Sequence, residues 1–468
     1  MTDDPFEEEQ GETEEPVGQK DSRPPAYFTA ANRLVAEDHY RQDRAGNYYF
    51  WNGRHWDQVT GHSMRARLWR VLNDMNVKAT RSNVVGDALS NLAWRAHMED
   101  FEFKVLGPSE VALNNGVLDV MTGDMRDHDP EDYLENVIPV DYSPDAVCPR
   151  FREALEQWFK EPSGRWRDRV AALQEFFGYV LLPEANLKKA LLLYGEGDTG
   201  KSAVLAILRE MVGRQYCCNL GMDEMSDPRM RSVIKGKRLN AITELSAKGL
   251  VDESGFKALV AADAVLLDAK NKAHETYVSR AKHTIACNPP LPRLPGRTQE
   301  VFNRLLIIQM QNPIYEPELD FHQKMLDELP GIVNWAIGGA ARLVENDGVF
   351  THLWDRQEVL DEWAAEQSPF VDWFRENFCR APEERIPLEK VANLFATHSG
   401  ERFSPRSAGH QLRHVLSLGN CIKKCRPKSE DPKAPRLAPV ACLVGWAEVK
   451  PTSRHLTSSD LVVEKEED

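Results

Sequence analysis

The residues of this sequence best suited to chemistry lie together at positions 195–202, which read Gly-Glu-Gly-Asp-Thr-Gly-Lys-Ser. The spacing Gly-x-x-x-x-Gly-Lys-Ser is typical of a loop whose backbone N–H groups surround phosphate oxygens. In such a loop, Lys201 reaches the outer phosphates and the Ser202 hydroxyl holds Mg²⁺. The stretch predicts a phosphate-binding site, with these residues as ligands: Gly195, Glu196, Gly197, Asp198, Thr199, Gly200, Lys201 and Ser202.

The flanks of this stretch predict the elements that position it. Residues 190–194 are apolar and contain no Pro, as in a buried parallel strand, and residues 202–212 carry apolar side chains at helical spacing. A strand that enters a helix through a glycine-rich turn presents N–H groups and the positive end of the helix dipole to an anion. The alternative is a glycine-rich turn that binds nothing.

Further polar residues follow or precede predicted strands. Glu244 ends the strand-like run 237–244 and is the candidate catalytic base and second Mg²⁺ ligand beside Ser202. Asn288 ends a second run and can bond the γ-phosphate or position water. Arg304 precedes another apolar run and can stabilise phosphoryl charge in a neighbouring subunit. Taken singly, each has an ordinary alternative: a solvated Glu, a turn Asn, a surface ion pair.

The net charge of −15 is concentrated in the tails. Residues 1–21 carry −8 and residues 455–468 carry −4, which leaves −3 for the remainder. Acidity therefore does not exclude a basic DNA channel. The close pairs Cys217-Cys218 and Cys421/Cys425 are expected to be reduced structural thiols. The sequence lacks a signal peptide and any apolar run near twenty residues, which favours a cytoplasmic protein and no membrane partner.

The ordered set of motifs resembles a known family. The loop at 195–202, Glu244, Asn288 and Arg304 fall within 110 residues, as in the ATPase core of superfamily 3 helicases of the AAA+ class. More closely, the chain resembles the helicase region of phage- and plasmid-type primases and of the poxvirus primase-helicase. The stretches that carry this similarity over roughly 105–380 are 115–120, 142–149, 177–181 and 328–338.

The resemblance implies roles for individual residues. It implies that Lys201 and Ser202 bind ATP and Mg²⁺, that Asn288 is the sensor, and that Arg304 is the finger supplied in trans, with Arg297 as second choice. Thr243-Glu244 stands where the family has two acids, so Glu244 is expected to serve both the Mg²⁺ shell and the attacking water.

The resemblance also implies DNA contacts. Residues 268–277 resemble the hairpin that such hexamers project into their channel, where Lys270, Lys272 and His274 would contact backbone phosphates; a solvated Lys-rich hairpin is the alternative. Residues 386–446 show a pattern of paired short helices followed by a basic segment. This pattern favours a winged-helix domain that contacts duplex origin DNA, and a helical cap that does not bind DNA is the alternative.

The expected fold is α/β: a P-loop AAA+-type ATPase core with a parallel sheet, preceded by a smaller α+β module and followed by a helical or winged-helix C-terminal domain. The module at 26–104 has no assigned role, and its aromatic segment 40–56 is either core or a base-stacking surface. The expected boundaries are 1–25 acidic disordered tail, 26–104, 105–160 pre-ATPase module, 161–345 ATPase core, 346–380 helical connector, 381–450 winged helix and 451–468 acidic tail.

The resulting hypothesis is an ATP-dependent DNA helicase that forms a hexameric ring and translocates on single-stranded DNA during replication of a phage or mobile element in a bacterial host. One alternative is an origin-binding or regulatory AAA+ ATPase that does not unwind DNA. Another is the helicase subunit of a primase-helicase whose primase or polymerase is a separate chain, because residues 1–110 show no convincing pair of strand-borne carboxylates.

Overall fold

The structure is a computed structural model whose described residues fall into two compact units. The first comprises the described residues up to Val105 together with His128–Val137. The second comprises Leu106–Asp127 and the described residues from Ile138 onward. The structure describes residues 24–36, 40–75, 82–99, 101–182, 186–243, 253–270, 274–289, 299–315, 318–356, 359–360, 369–400, 402–414, 421–425 and 440–448.

The first unit combines helices with a small antiparallel sheet in the order β1-β2-β3. Its elements are α1 (Ala26–Ala36), β1 (Tyr40–Gln42), β2 (Tyr48–Trp51), β3 (Trp56–Val59), α2 (Gly61–Asp74) and α3 (Ser82–Ala96). One face of α2 enters the core through Met64, Leu68 and Leu72, which recur every four residues and are fully buried.

The aromatic residues of this sheet form a second part of the interior. Tyr49, Trp51 and Trp56 are buried and cluster with Phe101 and Tyr133. Of the two roles left open by the sequence, these three rings therefore have the structural one, because a buried ring cannot stack on a base.

The second unit begins with a three-stranded antiparallel sheet on either side of the Asn-Gly turn at 115–116. Its strands are β4 (Glu110–Leu113), β5 (Gly116–Asp119) and β6 (Met125–Arg126). Residues 128–137, which the predicted pre-ATPase module included, belong instead to the first compact unit.

The centre of the second unit is a parallel sheet in the order β13-β7-β12-β9-β8. The predicted α/β core with a parallel sheet is therefore confirmed. Residues 190–194 are buried throughout, as expected of a strand covered on both faces. The elements are α4 (Pro149–Phe159), α5 (Trp166–Leu181), β7 (Ala190–Tyr194), α6 (Lys201–Val212), β8 (Cys217–Cys218), β9 (Leu239–Ile242), α7 (Glu253–Val260), β10 (Ala264–Leu267), β11 (Glu275–Val278), β12 (Lys282–Cys287), α8 (Gln299–Arg304), β13 (Leu305–Gln309), α9 (Phe321–Asp327) and α10 (Leu329–Glu345).

Helices α5 and α10 pack closely beside this sheet. An ideal Cβ on Gly339 would lie 2.1 Å from the carbonyl oxygen of Gln174, so the backbones approach more closely than any other residue allows. The Glu175 carboxylate, 1% exposed, accepts bonds from the Arg342 guanidinium (3.2 Å) and the Thr351 hydroxyl (2.7 Å). Pairing compensates the burial of this charge.

The C-terminal part of the chain has its own apolar cluster. The boundary expected at 380/381 differs, because Phe370 and Phe374 on the first helix are fully buried in this cluster rather than in a connector. Its sheet is antiparallel in the order β14-β16-β15. The elements are α11 (Pro369–Asn377), β14 (Phe378–Pro387), α12 (Leu388–Ser399), α13 (Pro405–His414), β15 (Ile422–Cys425) and β16 (Val440–Glu448).

Within the described ranges, no helix is long and apolar enough to cross a bilayer. The same residues contain no cluster of His, Cys, Asp and Glu that could hold a metal ion by themselves. Burial raises the pKa of the Cys217 thiol to about 11 and that of Cys218 to about 12, which keeps both protonated and unreactive.

Candidate nucleotide-binding site

The loop at 195–202 emerges from the C-terminal edge of the parallel sheet. It follows β7, whose last residue, Tyr194, pairs with Cys287 of β12 and with Gln309 of β13. Helix α6 begins at Lys201, so its first free N–H groups lie at the end of the loop. The loop therefore joins a buried strand to a helix N-terminus, an arrangement that favours anions.

Two glycines of the loop cannot be replaced without moving its surroundings. An ideal Cβ on Gly195 would lie 2.0 Å from the carbonyl oxygen of Met310. At Gly200, with φ of +94°, it would lie 2.9 Å from the indole ring of Trp158. Asp198 also has positive φ, +55°. These left-handed and close-packed positions produce a narrow turn, the type of backbone conformation in which successive amides can surround an anion.

The Lys201 ammonium lies over this loop. Its Nζ donates to the carbonyl of Gly195 (2.8 Å) and to the hydroxyl of Thr199 (3.1 Å). Burial lowers the pKa of Lys201, while the charges of Glu196 and Asp198 act in the opposite direction. The buried cation is held by neutral oxygens, which are weaker partners than phosphate oxygens. Ser202, in the first turn of α6, is exposed.

Asn288 follows β12, the strand next to β7. Because the Gly195 N–H donates to the Cys287 carbonyl (3.3 Å), Asn288 lies level with the start of the loop, one strand spacing of about 4.8 Å away. The Asn288 side chain is exposed. Asn288 and the loop therefore share one edge of the sheet.

The strand β9 ends at the same edge on the far side of β12. Its last residue, Ile242, pairs with Ile285, and Thr243 follows it in an exposed bend. Glu244 lies outside the described residues.

Arg304 lies at the N-terminal ends of the parallel strands, opposite the C-terminal ends from which the loop emerges. It precedes Leu305, the partner of Ala190 at the start of β7, so the length of β13, about 16 Å, separates it from the loop edge. Its guanidinium donates to the Glu300 carbonyl (2.9 Å), while its buried Nε has no hydrogen-bond partner in the described structure. The structure does not bring Arg304 to the loop of its own chain. Arg297 lies outside the described residues.

The segment 264–278 forms an antiparallel hairpin of β10 and β11. Lys270 is exposed on the connection, and His274 lies 3.5 Å from the Asp268 carboxylate. Lys272 lies outside the described residues. The second strand-like run, residues 277–288, which ends at Asn288, is divided by residues 279–281 into the end of this hairpin and β12.

The supporting wall of the loop was not anticipated from the sequence. Met310 donates its N–H to the Tyr194 carbonyl (2.8 Å), and Ile314 donates its N–H to the Asp198 carbonyl (2.7 Å). Trp158 lies behind Gly200. These contacts join residues more than 40 positions apart, and no local pattern marks them.

Comparison with known families gives two matches. Residues 31–160 match the family described as D5 N terminal like, and residues 193–304 match a family of unknown function, DUF5906. The second match begins just before the phosphate-type loop and ends at Arg304.

Two kinds of relative were found. The uncharacterized mitochondrial protein ymf21 of Marchantia polymorpha is 22% identical over 158 residues, which are 30% of this chain and 86% of that protein. Among solved structures, the A form apo structure of the NrS-1 C-terminal region has a TM-score of 0.50 at 11% identity and covers 89% of this chain and 98% of that one. A second structure of this region, residues 305–718, has a TM-score of 0.48 at 12% identity and covers 90% and 100%.

The structural likeness at this identity shows a shared fold. The sequence match over 31–160 is evidence that this part of the chain is related to the family described as D5 N terminal like. The family match and the shared fold agree with the broader resemblance seen in the sequence. The activity that this resemblance implies is a proposal for this chain.

Proposed function

We propose that this protein is an ATP-dependent, ring-forming DNA helicase that translocates on single-stranded DNA in replication. The observation that carries the proposal is that the candidate residues lie at opposite ends of the strands of one parallel sheet. The loop and Asn288 occupy one edge, and Arg304 occupies the other.

The loop is the proposed ATP site. The Gly195 and Gly200 positions, where any Cβ would collide, make a turn of amides, and Lys201 lies over it. In this proposal the Lys201 ammonium exchanges its carbonyl partners for β- and γ-phosphate oxygens, and Ser202 with Glu244 would hold Mg²⁺. The metal, when bound, neutralises phosphate charge in the transition state.

Water activation is assigned to the residues that follow the neighbouring strands. Glu244 would accept a proton from the attacking water, and the Asn288 amide would hold that water or the γ-phosphate in line. The strand order supports this assignment, because β12 lies between the loop strand and the strand that leads to Glu244.

The position of Arg304 favours a second copy of the chain as its target. About 16 Å of strand separates it from its own loop edge, so it cannot complete that site. In a head-to-tail contact, the Arg304 side of one copy would meet the loop side of the next copy. Repeated contacts of this kind close into a ring when the rotation between copies allows, and a hexamer is the expected size.

The hairpin would grip one DNA strand. Exposed Lys270, with Lys272 and His274 in the same connection, would contact backbone phosphates from each copy in the channel. The ion pair of Arg229 with Asp268 (3.3 Å) anchors the base of the hairpin without using Lys270.

The decisive experiment is ATP hydrolysis by the full chain with and without single-stranded DNA. We expect DNA to stimulate turnover, and the Lys270→Ala/Lys272→Ala variant to lose the stimulation while keeping basal hydrolysis. The Lys270→Arg/Lys272→Arg variant is the matched control, because it keeps both charges. DNA-independent hydrolysis unaffected by the alanine changes would contradict the hairpin assignment.

A second candidate is a regulatory or origin-binding ATPase. It is favoured by the helix–strand–helix–helix–strand–strand order at the C-terminal end, with Arg402 and Arg406 exposed at the start of α13. In a winged helix, such a helix enters the major groove. ATP-dependent binding of duplex without strand displacement would select this candidate. Association with a separate primase or polymerase chain is compatible with either.

A further inference from the structure

The first unit carries an exposed face that folding does not explain. Helix α2 buries one side, but on its solvent side Trp69 is 46% exposed, between Arg65 and Arg70. Arg65 and Trp69 are four residues apart and so share a face, about 6 Å apart along the axis. A single exposed ring is ordinary on a protein surface, but a ring beside two exposed arginines offers a ligand both a stacking surface and positive charge.

The arginines of this helix divide into two kinds. The Arg67 guanidinium lies 4.2 Å from the Phe50 ring centroid and donates to the Tyr40 hydroxyl (3.0 Å), so it is part of the fold. Arg65 and Arg70 are exposed, and no carboxylate within the described ranges forms an ion pair with either. Both charges are available to a ligand.

The charge of the face selects the ligand. The acidic residue of α2, Asp74, is exposed but is the last residue of the helix, whereas the other exposed positions from 62 to 73 carry His, Ser, Arg, Ala, Trp, Arg and Asn. A cationic face with a planar aromatic ring complements an anionic chain with exposed planar groups.

We propose that this α2 face binds single-stranded DNA, with one base stacked on Trp69 and the adjoining phosphates paired with Arg65 and Arg70. Single-stranded DNA is favoured over duplex, because a base within a duplex does not present its flat face to a side chain. Its residues are different from those of the nucleotide loop and the hairpin, and it gives a role to the otherwise unassigned 26–104 module.

The test is the affinity of the full chain for a fluorescently labelled 20-mer of oligothymidylate, measured by anisotropy without nucleotide at several salt concentrations. Loss of one stacked base in Trp69→Ala should weaken binding by roughly 5- to 100-fold, and Trp69→Phe should retain most of the affinity. Removing two phosphate contacts in Arg65→Ala/Arg70→Ala should reduce the slope of log K against log salt by about 1.4.

The matched control is Trp94 on α3 of the same unit. It is 85% exposed, but its neighbour Arg95 is committed to the Phe28 ring, 4.5 Å from the centroid. Trp94→Ala should leave the affinity unchanged.

Three results would overturn the proposal: unchanged affinity in Trp69→Ala, an equal loss in Trp94→Ala, or competition by a blunt duplex as strong as that by a single strand. The first would leave an acidic protein as the partner to seek. Because Lys270→Ala/Lys272→Ala tests the hairpin separately, failure of the hairpin proposal and failure of this one are distinguishable.

Discussion

Replacing Gly195 with Ala is the most direct test of the loop geometry. The new Cβ would lie 2.0 Å from the Met310 carbonyl oxygen, whereas real Cβ contacts essentially never fall below 3.0 Å. The loop and the end of β13 must therefore separate by about 1 Å or more. The Met310 N–H bond to the Tyr194 carbonyl opposes that movement.

The cost follows from these two contacts. Overpacking against a backbone atom costs about 1–3 kcal/mol, and a weakened backbone hydrogen bond adds about 1 kcal/mol. A loss of about 2–4 kcal/mol corresponds to a melting temperature lower by roughly 4–15 °C for a unit of this size. We also expect ATP to bind at least tenfold more weakly, since the loop amides move with the backbone.

Gly197→Ala is the matched control, because no atom lies within 4 Å of its added Cβ and its φ is not in the left-handed range. Its melting temperature should match that of the unmodified chain. Thermal unfolding without nucleotide and titration with a fluorescent ATP analogue measure both variants. A Gly195→Ala protein with unchanged melting temperature and affinity would refute the argument, as would an equal melting loss in Gly197→Ala.

Three further predictions test other parts of the molecule. Arg304→Ala and Lys201→Ala should each lower ATP turnover by about 10³-fold or more, the order of magnitude for groups that contact the transferred phosphate. A mixture of the two variants should regain activity if Arg304 acts in a neighbouring copy. An inactive mixture of assembled chains would count against action in trans. Gly339→Ala should destabilise the α5–α10 contact by about 1–3 kcal/mol, as measured by thermal unfolding. Gly338→Ala is the control, because its added Cβ meets only a side-chain nitrogen at 3.3 Å. That change should be neutral or should stabilise the protein by up to about 1 kcal/mol. Burial lowers the pKa of His283 to about 4. Between about pH 6.5 and 4 the imidazole is therefore protonated in the unfolded chain but neutral in the folded chain. The free energy of unfolding should fall by about 3 kcal/mol as the pH is lowered through that range. His283→Gln should remove that part of the pH dependence in denaturant titrations at pH 7 and 4.5, and an unchanged pH dependence would show that His283 is not its source.

The sequence predicted the local parts of the candidate site well. The apolar run 190–194, the glycine spacing and the helical pattern after Lys201 are contiguous, and each is determined by neighbours in the chain. Their prediction as strand, loop and helix agrees with β7 and α6. The Asn-Gly pair at 115–116, which forms the turn between β4 and β5, is a local signal of the same kind.

Boundaries and roles that depend on distant contacts were less accessible. The helix α11 was expected in a connector, but Phe370 and Phe374 bury it in the C-terminal cluster. Residues 128–137 join the first unit although the chain on either side belongs to the second. Helical periodicity identifies an apolar face, but it does not identify the surface that covers the face.

The sequence by itself determined that a strand, a glycine-rich turn and a helix would follow one another at 190–212, because backbone conformation there depends on residue type and near neighbours. Only the tertiary structure decided that β12 would lie between β7 and β9, and that Arg304 would lie at the opposite edge from the loop. Strand order and the close approach of Met310 and Trp158 arise from packing between residues far apart in the chain, where hydrophobic burial and steric fit select one arrangement among many with the same local pattern.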